Sequence, residues 1–344
     1  MVSRVTKLAG AMLAAVGVFG SAATAAGPPP PTATNGAPVQ LVAAGLGTPT
    51  SFAFGAGSVF EGDGGNSQSG PPNGGVFLLA GGKATKMPGS PSFVSGLAWY
   101  KDALYVAGGT ITGPKSAKWQ LQKWSGFNGS TFTKQRAIYT APKNFQGFNG
   151  LAFGPDGRLY VGVDAGLLNS NDHGAAKTPY VYDILSLKPT GRDLKVFATG
   201  IRQPWQFAFP KGSASPLVSD LGQDKGAKNP PDFVLRVRQG QNYGFPQCNQ
   251  TIKRRCRGFA KPFALFAPHT NIMGLAIIGS RIYMTSFLGP HGKGPGGEVL
   301  SMPLKGGALK PVVTGFVAPI VGLGVNAGSL YIGELTGQVF SVRP

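Results

Sequence analysis

Gly150-Leu151-Ala152-Phe153-Gly154-Pro155-Asp156-Gly157-Arg158-Leu159-Tyr160-Val161 is the stretch that decides the fold. Two short apolar runs flank Pro-Asp-Gly, which presets one φ and then accepts a positive one, as a tight turn between antiparallel strands requires. The unit recurs along the chain. It reads Ser51-Phe52-Ala53-Phe54 with Ser58-Val59-Phe60, then Gly96-Leu97-Ala98-Trp99 with Ala103-Leu104-Tyr105-Val106. After the central copy come Gln206-Phe207-Ala208-Phe209 with Pro216-Leu217-Val218-Ser219, and Gly274-Leu275-Ala276-Ile277 with Arg281-Ile282-Tyr283-Met284. The last is Gly322-Leu323-Gly324-Val325 with Ser329-Leu330-Tyr331-Ile332.

From Phe52 to Leu97, Leu151, Phe207, Leu275 and Leu323 the steps are 45, 54, 56, 68 and 48 residues. These are blade lengths; leucine-rich and helical repeats are shorter, and no helical period runs through the units. Third strands follow, as at Gly75-Val76-Phe77-Leu78 and Gln338-Val339-Phe340-Ser341, and fourth strands at Lys195-Val196-Phe197-Ala198 and Pro311-Val312-Val313. The final unit lacks a fourth strand, while Gln40-Leu41-Val42-Ala43 is a spare one before the first. The expectation is all-β: a single six-bladed β-propeller of four-stranded blades over residues 40–344, its N-terminal strand closing the last blade and hiding a sheet edge.

Ahead of it, Arg4 and Lys7 precede an uncharged apolar run over residues 8–19 and then Ala23-Thr24-Ala25. That order predicts a cleaved signal peptide over residues 1–25, export to the periplasm or beyond, and no membrane span. Gly27-Pro28-Pro29-Pro30-Pro31 predicts an extended tether over 26–39. The chain carries 32 Lys and Arg against 13 Asp and Glu, a formal charge of +19. Such an excess suits nucleic acid or an acidic membrane surface. Export, scattered basic residues and the lack of any recognised module argue against nucleic acid. Few carboxylates also suit low external pH, where little is lost by protonation. Cys248 and Cys256 are the only cysteines, with no His within ten positions, which predicts a disulfide rather than a metal pair.

In a propeller, residues just before each inner strand and just after each second strand converge on one mouth of the central channel. The first group includes Gln146, Phe148, Asn149, Arg202, Gln203, Trp205, His269 and Asn271; the second gives Asp63, Asp164, Asp220 and Glu334. Arg202 and His269 among those acids make a polar site. Acids at such turns also serve simply to bond backbone. Lys253-Arg254-Arg255, the one basic run, reads as a solvated loop.

Gly200-Ile201-Arg202-Gln203-Pro204, then Asp232 and Gly240-Gln241-Asn242-Tyr243-Gly244-Phe245-Pro246, resembles the glucose/sorbosone dehydrogenase family. The two cysteines, Phe266-Ala267-Pro268-His269-Thr270 and Met273-Gly274-Leu275 are similar to its sorbosone branch. The resemblance implies a secreted six-bladed propeller that oxidises a sugar or polyol hydroxyl with pyrroloquinoline quinone, often with calcium, and passes electrons to an acceptor the sequence does not identify. It places Arg202 on the quinone, with Gln203, Gly222, Trp205 and Asn149 around it. Backbone oxygens at Gly222 and Gln223 then face a cofactor calcium, and Asp232 with Tyr243 suits a second, structural calcium. Gln146 stands where relatives place the catalytic His, and glutamine is no general base, so His269 is the substitute. Ala318-Pro319-Ile320 stands where relatives often carry an arginine. Two alternatives follow: a non-catalytic propeller binding a small anion, glycan or protein, and a lactonase-type metal hydrolase using Asp63, Asn149, Asp220 and Glu334.

Overall fold

A computed structural model describes residues 29–66, 73–113, 116–165, 178–223, 229–289 and 296–344. The expected signal peptide lies outside them. Two short strands, β1 (Thr32–Ala33) and β2 (Gln40–Ala43), precede six antiparallel sheets. Blade one holds β3 (Pro49–Gly55), β4 (Ser58–Asp63), β5 (Gly75–Ala80) and β6 (Lys83–Lys86). Blade two holds β7 (Phe93–Tyr100), β8 (Ala103–Gly113), β9 (Ser116–Phe127) and β10 (Phe132–Thr140). Blade three holds β11 (Phe148–Phe153), β12 (Leu159–Val163), β13 (Ile184–Leu187) and β14 (Lys195–Ala198). Blade four holds β15 (Pro204–Ala208), β16 (Leu217–Asp220), β17 (Asp232–Arg236) and β18 (Ala264–Phe266). Blade five holds β19 (Ile272–Ile278), β20 (Arg281–Ser286), β21 (Glu298–Pro303) and β22 (Lys310–Thr314). Blade six holds β23 (Ile320–Asn326), β24 (Ser329–Glu334) and β25 (Gln338–Val342).

The inner strands β3, β7, β11, β15, β19 and β23 pack in turn, and β23 returns to β3. Each seam between blades is filled by apolar side chains. Phe60, Trp99 and Phe132 meet between blades one and two; Tyr160, Phe197, Phe207 and Phe233 meet between three and four. Burying each such side chain stabilises the ring by about 1.5–3 kcal/mol. The recurrent glycine of the repeat has a steric cause here. A Cβ on Gly96 would lie 2.6 Å from the Gly150 carbonyl carbon, and one on Gly150 would lie 2.4 Å from the Trp205 oxygen. Inner strands approach so closely near the axis that a side chain there would part the blades.

Ring closure follows the expectation: β2 pairs with β25, Gln40 opposite Ser341 and Leu41 opposite Phe340. The tether expected over 26–39 is corrected in part. Thr32 pairs with Thr314 and Ala33 with Val313, so β1 becomes a fifth strand on blade five. Ala37 and Val39 pack into the seam between blades five and six. The outer edge of β22 supplies the reason, since it offers unpaired backbone groups that an extended segment can satisfy.

Candidate functional site at the channel mouth

The acids at the mouth mostly brace backbone. Asp63 accepts the N–H groups of Gly47, at 2.8 Å, and of Thr48 and Gly65. Asp220 accepts those of Gln203, at 2.7 Å, and Arg202, at 3.3 Å. Glu334 accepts the Ala318 N–H at 2.8 Å and the Thr336 hydroxyl at 2.7 Å. In all three blades one braced residue stands just before a Pro at, or one residue ahead of, the start of the inner strand: Pro49, Pro204 or Pro319. A carboxylate at the end of the second strand thus satisfies donors that no strand partner reaches. The hydrolase set therefore lacks free carboxylate ligands, and among the described residues no three His, Cys, Asp or Glu are grouped to hold a metal.

Arg202 is buried, with only 2% exposure. Its Nη1 donates to the carbonyls of Leu221, at 2.6 Å, and Gly222, at 2.5 Å, and to Gln203 Oε1 at 3.3 Å. It is no surface salt bridge. Burial pushes the Asp220 carboxyl up to about 7, against the pull of the Gln203 N–H and the Arg202 charge. The Gly222 N–H donates to Asp232 at 2.6 Å, and the Asn271 N–H does so at 2.7 Å. Burial also raises the Asp232 carboxyl, opposed by those two N–H groups and by the charges of His269 and Arg202. His269 sits at φ 64° and Asn271 at φ 45°, both left-handed. Thr270 pins the loop by donating its hydroxyl to the Ala267 carbonyl at 2.8 Å. Asn229 Nδ2 meets His269 Nε2. Arg202, Gln203, Gly222, Asp232 and His269 thus form one connected cluster on blade four and its link to blade five.

Around the axis the mouth has two characters. Trp205, Met273 and Val321, from inner strands four to six, cluster with Leu221, Phe287 and Leu335. The half of the ring before them presents Thr50, Ser95 and Asn149, all buried. Asn149 is 2% exposed and its Nδ2 has no hydrogen-bond partner. The backbone around it packs closely on blade four: a Cβ on Gly162 would lie 2.5 Å from the Pro204 oxygen and 2.9 Å from the Asn149 carbonyl oxygen. Gln206 crosses toward blade six and donates to the Leu323 carbonyl at 3.0 Å. The sequence carried a signal for it: Gln206 stands where the other repeats have Ser51, Gly96, Gly150, Gly274 and Gly322.

Other expected site residues serve elsewhere. Gln146 donates to the Asn144 carbonyl at 3.0 Å within its own loop. Gln223 Oε1 accepts from Asn249 Nδ2 at 2.9 Å. The Tyr243 hydroxyl closes the turn beyond β17, bonding the Arg236 carbonyl at 2.7 Å and the Arg238 N–H at 3.0 Å. Both Asp232 oxygens take backbone N–H groups. Of the residues assigned to calcium, the Asp232 and Tyr243 oxygens already hold protein donors and the Gly222 carbonyl faces a guanidinium, an arrangement that does not suit the ion. Cys248 and Cys256 are joined, with Cα atoms 4.7 Å apart.

No family model and no curated protein matches the chain. Solved structures do. A putative glucose dehydrogenase of Thermus thermophilus is 19% identical, with a TM-score of 0.67 over 89% of this chain and 100% of that one. The fold is that of the glucose and aldose sugar dehydrogenases. The pyrroloquinoline-quinone-bound aldose sugar dehydrogenase of Streptomyces coelicolor is 18% identical, with a TM-score of 0.65 over 91% and 99% of the two chains. An AA12 carbohydrate-active enzyme of Trichoderma reesei is 15% identical, with a TM-score of 0.70 over 94% and 99%. At these identities the likeness is one of fold. Among the described residues no helix is long and apolar enough to cross a membrane.

Proposed function

We propose that this protein, exported from the cytoplasm, binds pyrroloquinoline quinone at the channel mouth and oxidises a sugar or polyol hydroxyl there. The observation that carries the reading is the Asn149 amide. A buried donor without a partner costs about 1–3 kcal/mol, and a ligand acceptor atom at the mouth relieves it. The half-buried Trp205, at the equivalent position of the next inner strand, offers an aromatic face, and the Arg202 charge favours a carboxylate-rich ligand. The quinone, when bound, would supply a two-electron oxidant for the hydroxyl-bearing carbon. The hydroxyl proton goes to Nε2 of His269, once substrate displaces the Asn229 amide. Asp232 stabilises the imidazolium that forms. Calcium has no part in this arrangement, because Arg202 occupies the Leu221 and Gly222 carbonyls.

Dye-linked oxidation of aldoses and polyols by the quinone-loaded protein tests the chemistry. His269→Gln should lower kcat by about 10²–10⁴-fold with quinone affinity unchanged. Quinone binding without turnover in the wild type would instead assign the protein to the non-catalytic class that Gln146 favours.

A further inference from the structure

The Cys248–Cys256 loop carries chemistry the mouth does not use. It closes on a 3-10 turn, Lys253–Cys256, in which no residue is buried. Lys253, Arg254, Arg255 and Arg257 are all exposed, and among the described residues none is in an ion pair; the two ion pairs there both involve Asp193. Ile252, at the head of the turn, is 39% exposed.

The turn is built rather than loose. The disulfide joins its ends, the Arg255 N–H donates to the Ile252 carbonyl at 2.9 Å, and the Cys248 N–H to the Gly244 carbonyl at 2.8 Å. Asn249, inside the loop, bonds Gln223 beside the Arg202 cluster, so the turn is anchored near the mouth. Gly258, Phe259 and Ala260, which follow the turn, line a cleft of about 350 Å³ with Gln241 and Asn242. The exposed acids among the described residues are Asp102, Asp156 and Asp193. All three lie in turns between strands at the end of the blades away from the mouth, so among the described residues no exposed carboxylate opposes an anion approaching the turn.

We propose that residues 252–257 dock the protein on an anionic lipid surface, the four cations facing headgroups and Ile252 entering the interface. A membrane suits this patch better than a protein because four exposed cations and an exposed isoleucine fall within six residues, the pairing an anionic lipid interface takes up. Basic residues near an acidic bilayer add attraction one by one, and salt screens it. The proposal is independent of the quinone.

Cosedimentation of the full oxidised chain with vesicles tests it, using phosphatidylcholine alone and phosphatidylcholine mixed with phosphatidylglycerol. The wild type should bind only the mixed vesicles, and less as salt rises. Replacing Lys253, Arg254, Arg255 and Arg257 by Ser should weaken binding at least about tenfold. Replacing Lys83, Lys134, Arg136 and Lys310 by Ser removes the same charge elsewhere and should change it less than about threefold. Ile252→Ser should weaken it at unchanged charge. Equal losses in the two charge variants would reduce the effect to net charge and overturn the proposal. So would failure of the wild type to bind the mixed vesicles, including a case where it is retained by an immobilised acidic protein instead.

Discussion

Asn149 and Arg202 are both buried polar residues at the mouth, yet they stand in opposite conditions. Asn149 has a donor to spare, whereas Arg202 is held by three acceptors. Asn149→Leu should leave thermal stability equal or raise it by about 1 kcal/mol, because a buried unsatisfied donor is removed. The same change should weaken quinone binding about tenfold or more. A variant that is destabilised and binds the quinone as before would show that the amide is structural. Arg202→Ala should cost about 3–5 kcal/mol in denaturant unfolding, since it strands the Leu221 and Gly222 carbonyls and leaves Asp220 without its cation. A loss below about 1 kcal/mol would place the guanidinium in water after all. The sequence marked both positions, but it left open whether the neighbouring acids bind a ligand or brace backbone. That choice depends on which N–H groups the preceding loop leaves unpaired, and only the assembled blade fixes it. The calcium expectation meets the same competition: Asp232 and Tyr243 have the right atoms, each already bonded to protein.

Strands were the legible part of the chain. Alternating apolar residues, tight-turn triplets and a glycine that inner-strand packing demands recur at blade spacing, and local pattern and global ring agree. The strand β1 escaped because Pro28 to Pro31 beside it mimic a tether, and its pairing depends on an edge of β22 far away in sequence. Truncation separates the two N-terminal strands. A chain beginning at residue 40 loses β1 together with the seam residues Ala37 and Val39, and should melt lower, still cooperatively. One beginning at residue 47 also loses β2, opens the outer edge of β25, and should lose its cooperative transition or aggregate. If the shorter chain melts like the longer one, β2 does not close the ring.

Over the whole molecule, a cationic surface surrounds acids that are largely buried. Glu61, fully buried, lies opposite Phe52 and Phe77, which belong to the seam between blades one and six, and neither of its oxygens has a hydrogen-bond partner. Burial, and then the charge of Asp63, holds its carboxyl well above the usual range. Burial also lifts Asp63 and Asp232, and brings Asp183 and Asp220 up to about 7. Each of these groups has a higher pKa folded than unfolded. Between roughly pH 4 and 7 the folded chain therefore binds more protons than the unfolded chain, and stability falls as pH rises through that window. The melting midpoint should be higher at about pH 5 than at about pH 8, and Glu61→Gln should flatten the alkaline side of the profile. A midpoint that rises from acid to neutral pH would contradict this. The trend fits the low external pH that the shortage of acids suggests.

Quinone binding at the mouth carries the proposed function. Its most direct test is a titration of the purified full chain with pyrroloquinoline quinone in the presence of a calcium chelator, followed by absorbance and melting midpoint. A saturable spectral change with one quinone per chain, a raised midpoint, and loss of both in Asn149→Leu is the predicted result. No spectral change and no shift in midpoint up to roughly tens of micromolar quinone, with or without calcium, would contradict it.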